Sequence, residues 1–494
     1  MGIRSVTFGA PAAERDINQG LSDYFVESAA FSRVQAGSKK IVLGNRGTGK
    51  SAIFKVVAER HRAASGIVIE LAPEDYSYEM LSDVMARESE GSWAKMGAYA
   101  VAWKFLILIL VMKEVTKGGP KIKKGAHGEI HRYLRDNHEG AQLSKLSALV
   151  SYLKRMEGIK LGPVEASVKT RELQQLYKLD EISGLFDPLR KVLESRHVLV
   201  LVDELDRGWD ASEDAKAFVA GLFQACATIN DVSPNLGVYM SLRQELYDSI
   251  PELYEDAQKY RDLIEIISWE EPSLLQLMAN RIRYSVPELA EASNEECWTA
   301  VFSETLEYRK NRSFNYMIDR TLYRPREMIA FATQAVEVAL DSSDGSFPVD
   351  YSVLSEAEIQ YSEARARDIA AEFRFQYPGL LSVFEVFRGG TYTMERDTLE
   401  EICFGLAAGE TPTSDDAAVW VVDEDPERLI ETLWRVGFLR AQAVGGVKAR
   451  RRSGSRYLGP HQVSNLNLKT LTRFQVHPMF RAFLGMKEAK GLVD

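Results

Sequence analysis

"KKIVLGNRGTGKSAIFKVV", Lys39 to Val57, decides the fold. Three apolar β-formers run into a glycine-rich turn, and apolar residues at helical spacing follow it. Gly44, Gly49, Lys50 and Ser51 complete the pattern GxxxxGK[ST]. Each part has a chemical reason. The glycines let backbone N–H groups turn inward around phosphate oxygens, Lys50 brings a mobile positive charge to them, and Ser51 offers a hydroxyl to Mg²⁺. The helix that opens at Lys50 adds the positive end of its dipole. The expected phosphate cradle is Gly44, Asn45, Arg46, Gly47, Thr48, Gly49, Lys50, Ser51 and Ala52, with ATP and Mg²⁺ as the implied ligands.

Working outward, further β runs appear at Gly66–Leu71, His197–Glu204, Leu236–Arg243 and Leu263–Trp269. Helical patterns lie between the last three. Strands alternating with helices predict an α/β domain with a parallel sheet covered on both faces. "HVLVLVDE" is a continuous apolar run of the kind a buried parallel strand shows, and it ends in an acidic pair. Asp203 is the expected metal residue beside Ser51, and Glu204 the group that polarises the attacking water. Asp206 and Arg207, just beyond, either order the site or form an ion pair.

The fourth run ends in Ser241 and Arg243, where a sensor of the terminal phosphate belongs. The alternative for Arg243 is a surface arginine that starts a helix. Arg261 precedes the fifth run. In ring-forming ATPases an arginine there reaches a neighbour's phosphate; a solvated helix-end arginine is the alternative. Arg326 opens a later helix as a second-sensor candidate, and Arg324 competes for that role.

The organisation expected is an ATPase core over 1–72 and 197–270, a helical insertion over 73–196, a helical lid over 271–340 and a winged-helix-like domain over 353–494. The polar stretch Asp341–Ser352 marks the last boundary. Three helical patterns, a hairpin and "RFQVHPMF" give the winged-helix layout. The phosphate loop, "VLVLVDELDR", the polar-ended fourth strand and the helical lid resemble the ATPase core of AAA+, STAND and KAP-type P-loop NTPases. "DELDRGWD", "YRPREMIAF" and "FQVHPMFRAFLGM" are similar to a little-characterised group of bacterial P-loop ATPases. The wider class includes origin-recognition ATPases and sensors in anti-phage defence. The resemblance therefore implies an ATP-hydrolysing switch or oligomerising sensor with an effector partner, or else a DNA-binding ATPase.

The DNA reading has its own residues. Lys448, Arg450, Arg451, Arg452 and Arg456 sit in a basic glycine-rich turn, a candidate wing that tracks a phosphate backbone. The candidate recognition helix, "DPERLIETLWRVG", carries Glu427 and Glu431, which repel phosphates. The 494-residue chain has a net charge of -10, which argues against a surface-wide nucleic-acid coat.

Cys226, Cys297 and Cys403 are far apart and show no CxxC pairing, so a cytoplasmic protein without a disulfide framework or zinc site is expected. His127, His131 and His138 are read as solvated. The N-terminal stretch lacks the apolar core of a signal peptide. "AYAVAWKFLILILVM", Ala98 to Met112, falls short of the roughly 20 residues a spanning helix needs and is interrupted by Lys104, so it is expected to be a buried core helix rather than a membrane contact.

Overall fold

The computed structural model describes residues 3–71, 92–117, 124–138, 184–205, 209, 211–251, 253, 260–342, 347–442, 457–463 and 466–488. The chain forms two compact units, Glu27–Ile267 and Met1–Val26 with Ser268–Asp494.

The first of these units is built on five parallel strands: β1 (Ile41–Leu43), β2 (Ile67–Leu71), β3 (Val198–Val202), β4 (Leu236–Leu242) and β5 (Ile264–Ile266). Their order across the sheet is β2-β3-β4-β1-β5. The strand that feeds the glycine loop is thus separated from the acidic-ended strand by β4. This is the AAA+-like form of the P-loop NTPase fold. All five residues of β3 are buried, which is why its sequence shows no alternation.

Helix Ser92–Thr116 packs along helix Glu213–Ile229 in the same core as the sheet. Tyr99, Trp103, Phe105, Leu106, Ile107 and Leu108 are all buried. Each such side chain contributes about 1.5–3 kcal/mol. The approach is close: a Cβ on Gly221 would lie 2.6 Å from Tyr99 Cβ and 2.7 Å from the Ala100 nitrogen. The apolar run therefore covers a helix of its own unit, and no helix among the described residues is long and apolar enough to cross a membrane. On the opposite side of the sheet order, Arg33 grips Glu265 of β5 through two bonds of 2.7 and 2.6 Å, which ties helix Ala29–Gln35 to the edge strand. Charge-assisted bidentate pairs of this kind also fix orientation.

The other unit begins with a helical body whose core runs from Leu274 to Tyr361 and includes Val6, Phe8 and Val26. A buried ion pair at 2.8 Å joins Arg281 of helix Glu271–Ser285 to Asp16, and Tyr24 donates to the same carboxylate at 2.8 Å. Helix Tyr351–Glu372 runs on into the next core. Its Ser362 hydroxyl donates to Met479 O at 2.5 Å, against helix Pro478–Leu484.

The winged-helix part carries a four-stranded antiparallel sheet, β6 (Thr393–Glu395), β7 (Leu439–Gln442), β8 (Tyr457–Leu458) and β9 (Arg473–Val476), in the order β6-β9-β7-β8. "RFQV" supplies β9, which lies between β6 and the β7–β8 hairpin.

Candidate functional site: a glycine-rich loop at one edge of a parallel sheet

Register gathers the candidate residues. Leu43 of β1 pairs with Leu242 of β4, and Met240 of β4 pairs with Val202 of β3. In a parallel sheet all three strands end on one edge. Gly44, Asp203 and Ser241–Arg243 therefore emerge side by side, although nearly 160 residues separate the first from the second.

The loop is held by its own small residues. Gly47 has φ 81° and Gly49 φ 98°, left-handed values that a side chain disfavours. Gly49 is the N-cap of helix Lys50–Ala63. A Cβ there would meet nothing within 4 Å, so conformation is what requires the glycine. At Gly44 the reason is space, because a Cβ would lie 2.6 Å from Thr48 Oγ1. Thr48 is buried, and its hydroxyl donates to Asn45 O at 2.9 Å, which closes the turn. Lys50 Nζ donates to Gly44 O at 2.6 Å and Asn45 O at 3.0 Å, so the ammonium lies over the loop. Arg46 lies in the turn, and Ser51 and Ala52 lie in the first turn of the helix.

Asp203 extends β3 by one ladder bond, its N–H donating to Leu71 O at 3.1 Å. Its Oδ1 accepts from the Glu204 N–H at 2.9 Å and from the Ser241 hydroxyl. Asp203 Oδ2 takes no hydrogen bond from a described residue. The sequence placed Ser241 as a group emerging toward phosphate. The side chain is instead buried against Asp203. Glu204 has φ 59°, in the left-handed region that costs a side chain of its size about 1–3 kcal/mol. Its side chain is part-exposed at the strand edge.

Arg243 is the N-cap of helix Gln244–Ser249 and lies two residues beyond Ser241 on the same edge. Arg261 is exposed at the other edge. Its carbonyl accepts from Ile264 N–H at 3.4 Å, at the start of β5, and from Lys39 Nζ at 3.4 Å, before β1. The sheet therefore separates Arg261 from the loop of its own chain.

In the other unit, Arg326 Nε donates to Pro11 O at 3.3 Å. Arg324 is buried and pairs with Glu372 at 2.9 Å and Glu327 at 3.7 Å. Burial holds the Glu327 carboxyl above its ordinary range, with Arg324 opposing that shift. Arg324 thus anchors the start of helix Pro325–Asp341, which leaves Arg326 as the more accessible of the two. Asp206 and Arg207 lie outside the described residues, as do Lys448, Arg450, Arg451, Arg452 and Arg456.

Sequence reasoning missed two features: the Ser241–Asp203 bond and the left-handed backbone at Glu204. A hydroxyl one residue from the end of β4 hinted at the first. Nothing local encodes the second, since glutamate carries no preference for positive φ.

The loop fits a nucleotide phosphate on three observations: left-handed glycines that turn N–H groups inward, a helix N-terminus, and a lysine folded over the turn. Ser51 and Asp203 are oxygen donors suited to Mg²⁺.

Comparison with known proteins adds distant likenesses. The family described as "FunZ-associated C-terminal helical domain" matches residues 272–370, which span the helices from Glu271–Ser285 to Tyr351–Glu372. The transposon gamma-delta 80.3 kDa protein of Escherichia coli (strain K12) is 24% identical over 413 residues, covering 78% of this chain. The chain spans only 54% of that relative's length. The solved ORC2 protein of Aeropyrum pernix, in ADPNP–ADP complexes, aligns over 95% of this chain and 92% of its own, at 14% identity and a TM-score of 0.36.

Proposed function

We propose that the chain is an ATP-hydrolysing switch whose nucleotide state controls a partner protein. One observation carries the reading: the glycine loop with Lys50, and the Asp203–Glu204 pair held by Ser241, share one edge of the parallel sheet. Loop amides and Lys50 hold the phosphates of the substrate ATP. Ser51 and Asp203 Oδ2 would hold Mg²⁺, which when bound neutralises charge on the phosphates. Glu204 takes a proton from the attacking water. Ser241 keeps Asp203 in one rotamer so that Oδ2 stays available, and Arg243 adds positive charge at the same edge.

Arg261 is exposed and its backbone lies at the opposite strand ends from its own loop, which supports a role toward a second copy in a homo-oligomer. Arg326 is the residue we assign to nucleotide sensing in the helical body. A DNA-binding reading rests on the wing arginines alone; the described part of the winged helix offers Glu427 and Glu431 on the helix that reading needs.

The test is steady-state ATP hydrolysis by the full chain, with Glu204→Gln as control, with and without duplex DNA. Turnover that is lost in the control and indifferent to DNA is expected. Turnover that survives Glu204→Gln overturns the assignment of the base, and DNA stimulation that vanishes in the control favours the DNA-binding reading.

A further inference from the structure

The winged-helix part contains a groove of about 500 Å³ whose chemistry differs from that of a DNA reader. One wall is a single stripe of helix Arg396–Ala407: Asp397, Glu401 and Phe404, at helical spacings of four and three. The other wall is the first turn of helix Pro426–Arg435, with Asp425 and Glu427.

Some of these acids have structural work. Asp425 caps its helix by accepting from Glu427 N–H at 3.0 Å. Glu400 and Glu427 both pair with Arg396, which joins the two helices. Asp397 and Glu401 are exposed and have no ion pair among the described residues. Glu427 is already engaged by Arg396, so the acids left for an outside cation are Asp397 and Glu401.

The apolar part points the same way. Phe404 is 60% exposed in the middle of this acidic rim. Asp423 N–H donates to Ala407 O at 2.9 Å, which brings the exposed Val422 to the end of the same helix. An aromatic anchor ringed by uncompensated charge is the layout of a binding hot spot with a polar rim. A duplex is repelled by these carboxylates.

We infer that this groove docks a basic segment of a partner protein, which sets an apolar side chain on Phe404 and directs Lys or Arg groups to Asp397 and Glu401. The inference deepens the switch reading by giving the partner a chemistry and a place.

The probe is a phage-displayed library of random short peptides, panned against the full chain. Peptides that combine Lys or Arg with a large apolar residue are expected. Made synthetically, they should bind less tightly as salt rises, and about tenfold less tightly to Phe404→Ala. Asp397→Asn with Glu401→Gln should weaken them further while leaving the Arg396 pairs and the thermal melt intact. Glu401→Arg, a second variant, should repel the same peptides. No enrichment, enrichment of non-basic peptides, equal binding to every variant, or displacement by a DNA duplex each overturns the proposal. ATP turnover is measured in parallel on the same samples. Peptide binding without turnover sinks the switch and spares the groove; turnover with no groove-dependent peptide does the reverse.

Discussion

The Ser241 hydroxyl donates a hydrogen bond to Asp203 Oδ1, from one strand of the parallel sheet to its neighbour. The bond engages Oδ1 and leaves Oδ2 without a hydrogen bond from a described residue, on a carboxylate that could otherwise rotate. Ser241→Ala removes it without opening a large cavity. Hydrolysis is expected to fall about tenfold, since a buried bond to a charged group is worth about 1.5–3 kcal/mol. Binding of a fluorescent ATP analogue should change much less. A single-turnover assay beside a binding titration separates the two effects, and unchanged turnover would remove the positioning role.

Glu204 combines a left-handed backbone with the position expected of the base. Glu204→Gly relieves that strain and should stabilise the folded chain by about 1 kcal/mol, even as turnover disappears. Glu204→Gln keeps the strain and loses only the chemistry. Thermal melts of the two variants against the parent check this. A melt of the glycine variant no higher than that of the glutamine variant contradicts it.

The two loop glycines should fail differently. Gly44→Ala drives a methyl group to 2.6 Å from Thr48 Oγ1, so the turn must distort and nucleotide affinity should drop. Thr48→Ala in the same chain makes room and should restore part of that loss. Gly49→Ala meets no atom and should lose about 1 kcal/mol of stability through its φ of 98°, with no rescue by Thr48→Ala. Isothermal titration with ATP across the four chains distinguishes a steric from a conformational requirement.

Arg261 lies at the sheet edge away from its own loop, so its proposed action is on a neighbour. Arg261→Ala should bind ATP but not hydrolyse it. Lys50→Ala should not bind it. Mixed together, the two dead variants should recover a fraction of wild-type turnover, because one supplies the loop and the other the arginine. Absence of recovery in a mixture shown to co-assemble by sedimentation rejects the trans role.

His477 sets an acid limit on the second unit. It is fully buried, and its Nε2 lies 2.8 Å from Arg440 Nη2. Burial, then the Arg440 charge, hold its pKa well below the ordinary 6.5. The folded chain keeps this ring neutral while the unfolded chain protonates it below about 6.5. The unfolded state then binds the extra proton, so stability present above that pH declines as pH falls through it. Denaturant melts between neutral and mildly acid pH should show this decline, and His477→Gln should flatten it. An unchanged slope assigns the decline to other groups.

Much of the fold was legible. The five apolar runs became five parallel strands because buried strands need continuous β-branched and aliphatic side chains, a pattern that survives without knowledge of partners. The loop was legible because its chemistry is local: glycines, lysine and serine act within one turn. Less legible were Ser241, whose partner lies 38 residues away, and the run Ala98–Met112, whose periodicity announced burial but not the Glu213–Ile229 helix that buries it. The winged helix was read from three helices and a hairpin, yet β6 joins the sheet through β9, some 80 residues further on, and no short-range signal announces such a pairing.

The sequence by itself determined the glycine-rich loop, the acidic strand end and the alternation that forces a parallel sheet, because these depend on backbone freedom, helix dipoles and side-chain hydrophobicity within a few residues. Only the tertiary structure decided which hydroxyl orients Asp203, that Arg324 is buried in an ion pair with Glu372, and that Phe404 stands exposed among carboxylates. Those outcomes depend on which groups packing brings within hydrogen-bond reach, and that is a property of register and burial rather than of neighbours along the chain.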